Sequence, residues 1–258
     1  MGESALVTGA TAGIGASFAR LLASKGYHVV LVARDEDRLK ETAEKLATDY
    51  GMTSEVLRAD LSTPEGLKLV EERVASTTSP IGVLVNNAGF GINKSFLVSN
   101  IEDEQRLLDV LVKAPMRLMH AALPVMKEND RGIIINVSSV AGWIAGGTYS
   151  AAKSYLTVMS ESLHTELIST RVTVMALCPG FTRTEFHERG RMKMGGLPNF
   201  MWLNADRVVA QAWSDAKRGQ AISVPGWQYW ILSTVSRFGP RPLVRKIGMN
   251  VRKKQRHK

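Results

Sequence analysis

The sequence predicts an α/β protein: a single domain built on one doubly wound, mostly parallel sheet of seven strands. Three features predict it. Apolar, β-rich runs alternate with longer amphipathic helical patterns along most of the 258 residues, which is the signature of βα units and a parallel sheet. Several of those runs, such as Gly132-Ile133-Ile134-Ile135, are continuously apolar, as strands covered on both faces must be. A glycine-rich turn follows the first run and opens the first helical pattern.

Strands are expected at 4–8, 28–33, 54–59, 82–86, 131–137, 171–177 and 221–224. Amphipathic segments run between them, among them Ala16 to Ser24, Asp37 to Asp49, Glu102 to Met126 and Ala151 to Ile168. Right-handed crossovers would place the ligand site at the carboxyl ends of the strands. The segment from Thr182 to Asn204 breaks the alternation and is rich in Met, Gly and Phe, so it reads as a lid or substrate loop. The catalytic unit is then 1–226, with a C-terminal helix and basic tail over 227–258.

Composition fits an ordinary globular protein, with 45% hydrophobic and 22% charged residues. No run approaches the ~18 apolar residues of a membrane span, and a strand begins almost at once. A cytoplasmic protein is expected, without a signal peptide. One cysteine, Cys178, precedes Pro179 in an apolar run and reads as a buried, inert thiol. The net charge of +9 belongs to one end. Arg237 to Lys258 holds nine Lys or Arg and no acid; removing those nine from the 33 basic residues leaves 24, equal to the 24 Asp and Glu.

Two clusters carry chemistry. Thr8-Gly9-Ala10-Thr11-Ala12-Gly13-Ile14-Gly15 lets the backbone turn tightly and approach a pyrophosphate at a helix N-terminus. Its spacing is G-x-x-x-G-x-G, not G-x-G-x-x-G. The second strand ends Ala33-Arg34, where an acid would accept from the ribose 2′-hydroxyl of NAD. A guanidinium there can grip a 2′-phosphate and favours NADP(H), although Asp35 and Glu36 follow closely. At the chemical end, Tyr149 and Lys153 lie four residues apart and share a helix face. The ammonium is expected to lower the phenol's pKa, so that Tyr149 exchanges a proton with a carbonyl or alcohol oxygen. Ser138 or Ser139, at a strand end, would hydrogen-bond the same oxygen.

Together these residues resemble the short-chain dehydrogenase/reductase family, whose Rossmann-type fold the likeness implies over about residues 4 to 224. The resemblance makes Gly9, Thr11, Gly13, Ile14 and Gly15 the cofactor loop. It places Asp60, with Leu61, at the adenine, and Asn87-Ala88-Gly89 of Asn86-Asn87-Ala88-Gly89 beside the cofactor. It assigns Ser139, Tyr149 and Lys153 to catalysis, with Tyr149 and Lys153 also touching cofactor. Pro179, Gly180, Thr182 and Thr184 would meet the nicotinamide carboxamide. NADP(H) and no metal are implied, with a homodimer or homotetramer paired through helices near 102–127 and 150–169. The sequence departs from the family twice. Leu111, twelve residues before Leu123-Pro124, stands where the family has a catalytic Asn, and a leucine side chain is not expected to hold that Asn's helix kink and water. Ser139 also lies closer to Tyr149 than is usual, through a shortened loop at Trp143 and Gly147.

Phe181, Phe186, Met192, Met194, Leu197, Phe200, Met201 and Trp202 would dress an apolar pocket. This favours a lipophilic carbonyl or alcohol: a 3-oxoacyl thioester, a steroid-like molecule or a ketone. The alternative is an NADP-binding scaffold or regulatory subunit that turns over weakly because of Leu111. Trp227, Tyr229, Trp230, Ile231 and Leu232, with the basic tail, allow peripheral contact with a membrane. Nothing indicates nucleic-acid binding.

Overall fold

A computed structural model of the chain describes residues 3–186, 198–240, 242, 244 and 245. Its strands are β1 Ser4–Thr8, β2 His28–Ala33, β3 Ser54–Arg58, β4 Ile81–Asn86, β5 Gly132–Val137, β6 Val172–Leu177 and β7 Ile222–Ser223. Its helices are α1 Gly13–Ser24, α2 Glu36–Tyr50, α3 Pro64–Val74, α4 Ile101–Leu108, α5 Ala114–Glu128, α6 Thr148–Glu166, α7 Ala205–Lys217 and α8 Trp227–Phe238. The strands form one sheet in the order β3-β2-β1-β4-β5-β6-β7. Every pairing is parallel, so the expected sheet is present and wholly parallel.

Side-chain alternation explains the two layers. Val7, Leu31, Val85 and Ile135 point to one face, where α1, α2 and α7 bury Phe18, Leu22, Leu39, Leu46 and Val208. Leu6, Val30, Leu84 and Ile134 point to the other, under Val70 of α3, Leu118 of α5 and Leu156 and Leu163 of α6. The strand order reverses between β1 and β4, and a crevice opens there above the carboxyl ends.

One expected helix is two. Between α4 and α5, Asp109–Lys113 forms a π turn in which the Ala114 N–H bonds the Asp109 carbonyl. Pro115 is the physical cause. It has no N–H, so an α register would leave the Leu111 carbonyl without its donor four residues on. The helix is therefore interrupted by a π turn with leucine at position 111. A proline one turn later makes it, and no polar side chain is needed.

Candidate active site

The glycine-rich turn is built as a cradle. Gly9 and Gly13 have φ of 67° and 52°, in the left-handed region that other residues avoid. A Cβ on Gly15 would lie 2.1 Å from the Gly9 carbonyl oxygen, so a glycine there is a packing necessity. Asn87 braces the turn by donating from Nδ2 to the carbonyls of Thr8 at 2.9 Å and Gly9 at 3.2 Å. Thr8 Oγ1 accepts from the amides of Asn87 at 2.9 Å and Ala88 at 3.0 Å. The sequence reading did not credit Thr8 with this; a threonine ending a strand carries no signal of its own.

Helix α1 begins at Gly13 after Ala12, without a side-chain cap. By contrast α2, α3 and α7 are capped by Asp35, Thr63 and Asn204. Its first N–H groups are thus left for an anion.

A cleft of about 1150 Å³ extends from this turn to α6. At the end of β2, Arg34 lines it and is 62% exposed. Neither following acid neutralises Arg34. Asp35 caps α2 by accepting from the Arg38 amide at 3.1 Å, and Glu36 pairs with Lys40 at 2.8 Å. Arg34 instead stands 3.9 Å from Asp60. Burial pushes the Asp60 carboxyl up, but the hydroxyl and amide of Ser62, with Arg34 and Arg106, hold it below the usual range. Arg38, which the sequence reading passed over, also lines the cleft. It spans from the Thr11 carbonyl at 3.3 Å to the Glu185 carboxylate at 2.9 Å. Nothing in the sequence marks a helical arginine as facing a cleft.

At the other end Ser139, Tyr149 and Lys153 come together. Ser139 and Tyr149 line the cleft together, and the Ser139 hydroxyl accepts from the Ala141 amide at 3.1 Å. Lys153 Nζ donates to the Val137 carbonyl at 2.6 Å and lies 5.7 Å from the Tyr149 ring centre. The 3-10 turn Val140–Trp143 and Gly147, with φ of 80°, close the short loop between serine and tyrosine. Ser138 is committed elsewhere: its hydroxyl is buried, 2.7 Å from both the Lys153 carbonyl and Thr157 Oγ1.

The electrostatics differ from the sequence expectation. Burial pushes the Tyr149 phenol up to about 12, only partly offset by Ser139, and pushes the Lys153 ammonium down to about 8. Desolvation disfavours the charged form of each group and is the largest cause of both shifts. Cys178 is buried and raised to about 11, the inert thiol expected.

The other predicted contacts fall around the same cleft. Thr11, Ile14, Leu61, Ala88, Gly89, Pro179, Gly180, Thr182 and Thr184 all line it. A Cβ on Gly13 would meet Thr184 at 2.9 Å, so the chain after β6 closes over the glycine turn. Of the expected apolar lid residues, Phe181 and Phe186 line the cleft. Phe200 instead faces outward, 63% exposed. Met201 lends its carbonyl to Tyr229 at 2.6 Å, and Trp202 packs tilted against Phe181, ring centres 6.1 Å apart. Met192, Met194 and Leu197 lie outside the described residues. Apolar lining comes also from Phe90, Ile92, Ile144 and Leu232, residues too scattered in sequence to be grouped before folding. Leu111 is buried in a cluster with Leu107 and Ala152, against which Phe90, Ile92 and Tyr149 pack.

Comparison with known proteins agrees with this geometry. The family model for short chain dehydrogenases matches residues 3–194. The chain belongs to the short chain dehydrogenase family. Among solved structures it is similar to a short-chain dehydrogenase from Sphingobium yanoikuyae in complex with NADPH. The TM-score is 0.83 at 33% identity, covering 92% of this chain and 94% of that one. It is similar also to the bulky-bulky ketone specific alcohol dehydrogenase from Comamonas testosteroni, with TM-score 0.79, 31% identity and 92% of each chain covered. Among curated relatives, an NADP-dependent 3-hydroxy acid dehydrogenase of Schizosaccharomyces pombe is 32% identical over 190 residues, 72% of this chain and 73% of that protein.

Proposed function

We propose that this short chain dehydrogenase is an NADP(H)-dependent oxidoreductase acting on a lipophilic carbonyl or its alcohol. The observation that carries the reading is the convergence of Ser139, Tyr149 and Lys153 at one end of a cleft whose other end is the uncapped glycine turn. The residues fit the dinucleotide: positive φ at Gly9 and Gly13 and the close packing at Gly15 shape a tight turn that leads into the uncapped start of α1, where a pyrophosphate can be held. Arg34 stands free of its neighbouring acids at the 2′-phosphate position, and Asp60 lies beside it. The NADPH of the Sphingobium protein and the NADP dependence named for the yeast relative support the same cofactor. When bound, NADP(H) supplies or accepts the hydride.

The chain's own groups handle the proton. Tyr149, held neutral at physiological pH by burial, gives its proton to the carbonyl oxygen in reduction and takes one from the alcohol in oxidation. The Ser139 hydroxyl, which lines the cleft beside that phenol, holds the same oxygen. Lys153, oriented by the Val137 carbonyl, offsets the charge left on Tyr149. Phe90, Ile92, Ile144, Phe181, Phe186 and Leu232 favour an apolar substrate, in keeping with the bulky ketones named for the Comamonas enzyme. The rival reading, a cofactor-binding scaffold, rests on Leu111 in place of a proton-relaying Asn. A homodimer or homotetramer, peripheral membrane contact and a cytoplasmic setting complete the proposal. Among the described residues no helix is long and apolar enough to cross a membrane.

The test is NADPH consumption against a panel of apolar ketones and 3-oxoacyl thioesters. Tyr149→Phe should lose at least about 100-fold in kcat/KM while still binding NADPH. Arg34→Ala should weaken NADPH about 10-fold or more and leave NADH nearly unchanged. Tight NADPH binding with no turnover, the same in parent and Tyr149→Phe, establishes the scaffold instead.

A further inference from the structure

Helix α8 is built inside out. Its inward residues are Tyr229, Ser233 and Ser236, all buried. Its outward residues are Trp227, Trp230, Ile231, Val235 and Phe238, with Trp227 71%, Trp230 62% and Phe238 80% exposed. At 100° per residue these five occupy one continuous face, interrupted only by Thr234. Phe200, 63% exposed, adjoins the start of that face, because Gln228 Nε2 donates to its carbonyl at 3.0 Å. A water-facing helix places its polar residues outside. Contiguous exposed aromatics of this extent mark a surface that is covered in use.

The inner face belongs to the cleft, which Tyr229, Leu232, Ser233 and Ser236 line. One helix therefore walls the cleft on one side and shows aromatic surface on the other. Arg237 near its end and the chain that follows carry nine Lys or Arg and no acid up to Lys258, while the rest balances to zero. That charge selects the occupant. A second copy docked face to face would bring two strongly cationic segments together. An anionic surface with an apolar interior is complementary to both features, and Trp beside Lys and Arg is the composition that settles at a lipid headgroup boundary. Arg237 itself stacks over Trp143 at 5.3 Å and Phe238 at 5.8 Å and stands 3.8 Å from Glu161. Its charge thus sits at the rim of the aromatic face.

We infer that α8 docks on an anionic membrane surface through Trp227, Trp230, Ile231, Val235 and Phe238, with the basic C-terminal segment holding the headgroups. Docking sets the wall of the cleft against the lipid, where a lipophilic substrate is concentrated. That last consequence rests on the proposed function, but docking itself does not, so binding is measured without reference to turnover.

The full chain is floated with vesicles of phosphatidylcholine alone and with roughly one-third phosphatidylglycerol added. The parent should rise with the anionic vesicles only and be released by raised salt. The triple variant Trp227→Ser, Trp230→Ser, Phe238→Ser should stay at the bottom. Arg252→Glu, Lys253→Glu, Lys254→Glu should lower vesicle binding at least about tenfold. Unchanged NADPH binding shows that both variants remain folded. A parent that stays down, or an aromatic variant that floats as well as the parent, overturns the inference. If light scattering shows the parent as an oligomer that the aromatic variant breaks apart while neither floats, the face belongs to a second copy instead.

Discussion

Lys153 is a cation held away from water, and its charge opposes folding at neutral pH. The ordinary lysine value of 10.5 falls to about 8, so the unfolded chain binds this proton more tightly than the folded one, and the two differ in protonation between about 8 and 10.5. Stability at this site accordingly rises with pH between about 8 and 10.5 and is lowest below 8. Lys153→Met should raise the unfolding free energy at pH 7 by up to about 3 kcal/mol, seen as a higher Tm. The gain should shrink through that window and vanish above it, while turnover is lost. A variant with unchanged Tm at pH 7 would mean that the Val137 carbonyl already repays the desolvation. The same residue shows how far single positions could be read. Tyr149 and Lys153 were legible from spacing, since one helical turn fixes their relation. Ser139 was separable from Ser138 only after folding, because Thr157 and the Lys153 carbonyl, which claim Ser138, arrive from another element.

Among the elements, α8 packs tightest at one glycine. Tyr229 is fully buried, and a Cβ on Gly180 would lie 2.1 Å from its ring. The tyrosine hydroxyl accepts from the Phe181 amide at 3.0 Å and donates to the Met201 carbonyl at 2.6 Å. Gly180→Ala should displace Tyr229 and cost about 3 kcal/mol, a fall in Tm of roughly 6–12 °C. Gly180→Ala with Tyr229→Ala should fall by less than the two single losses added together, because the clash is gone. The strands and the long helices were legible because apolar runs and 3.6-residue periodicity are local properties. The π turn was not, although Pro115 was in plain view, since a proline near a helix start also reads as a helix opening. The inverted face of α8 was equally hidden: periodicity reveals an apolar stripe, and only the packed molecule tells which way it points.

For the molecule as a whole, folding places the glycine turn, Tyr149 and helix α8 around one cleft, while the sheet below carries the core. This arrangement was legible in outline, because a glycine turn after β1 and a tyrosine after β5 must meet above the carboxyl ends of a doubly wound sheet. The identity of the cleft walls was not, because loops after six of the strands contribute. The segment between Phe181 and Leu203 is fastened where it leaves and returns: Leu203 N–H donates to the Phe181 carbonyl at 2.8 Å and Arg183 N–H to the Leu203 carbonyl at 2.9 Å. Replacing residues 187–197 by a Gly/Ser linker of equal length should therefore change the unfolding free energy by less than about 1 kcal/mol. KM for apolar ketones should rise severalfold while NADPH affinity holds; a collapse of Tm would show that the segment supports the core. Leu203, bonded to Phe181 and Arg183, clasps the ends of that segment as a holder clasps a cartridge. Doubling its length adds only about 0.6 kcal/mol of closure entropy, so new substrate preferences can be installed there by insertion or deletion without renegotiating the scaffold.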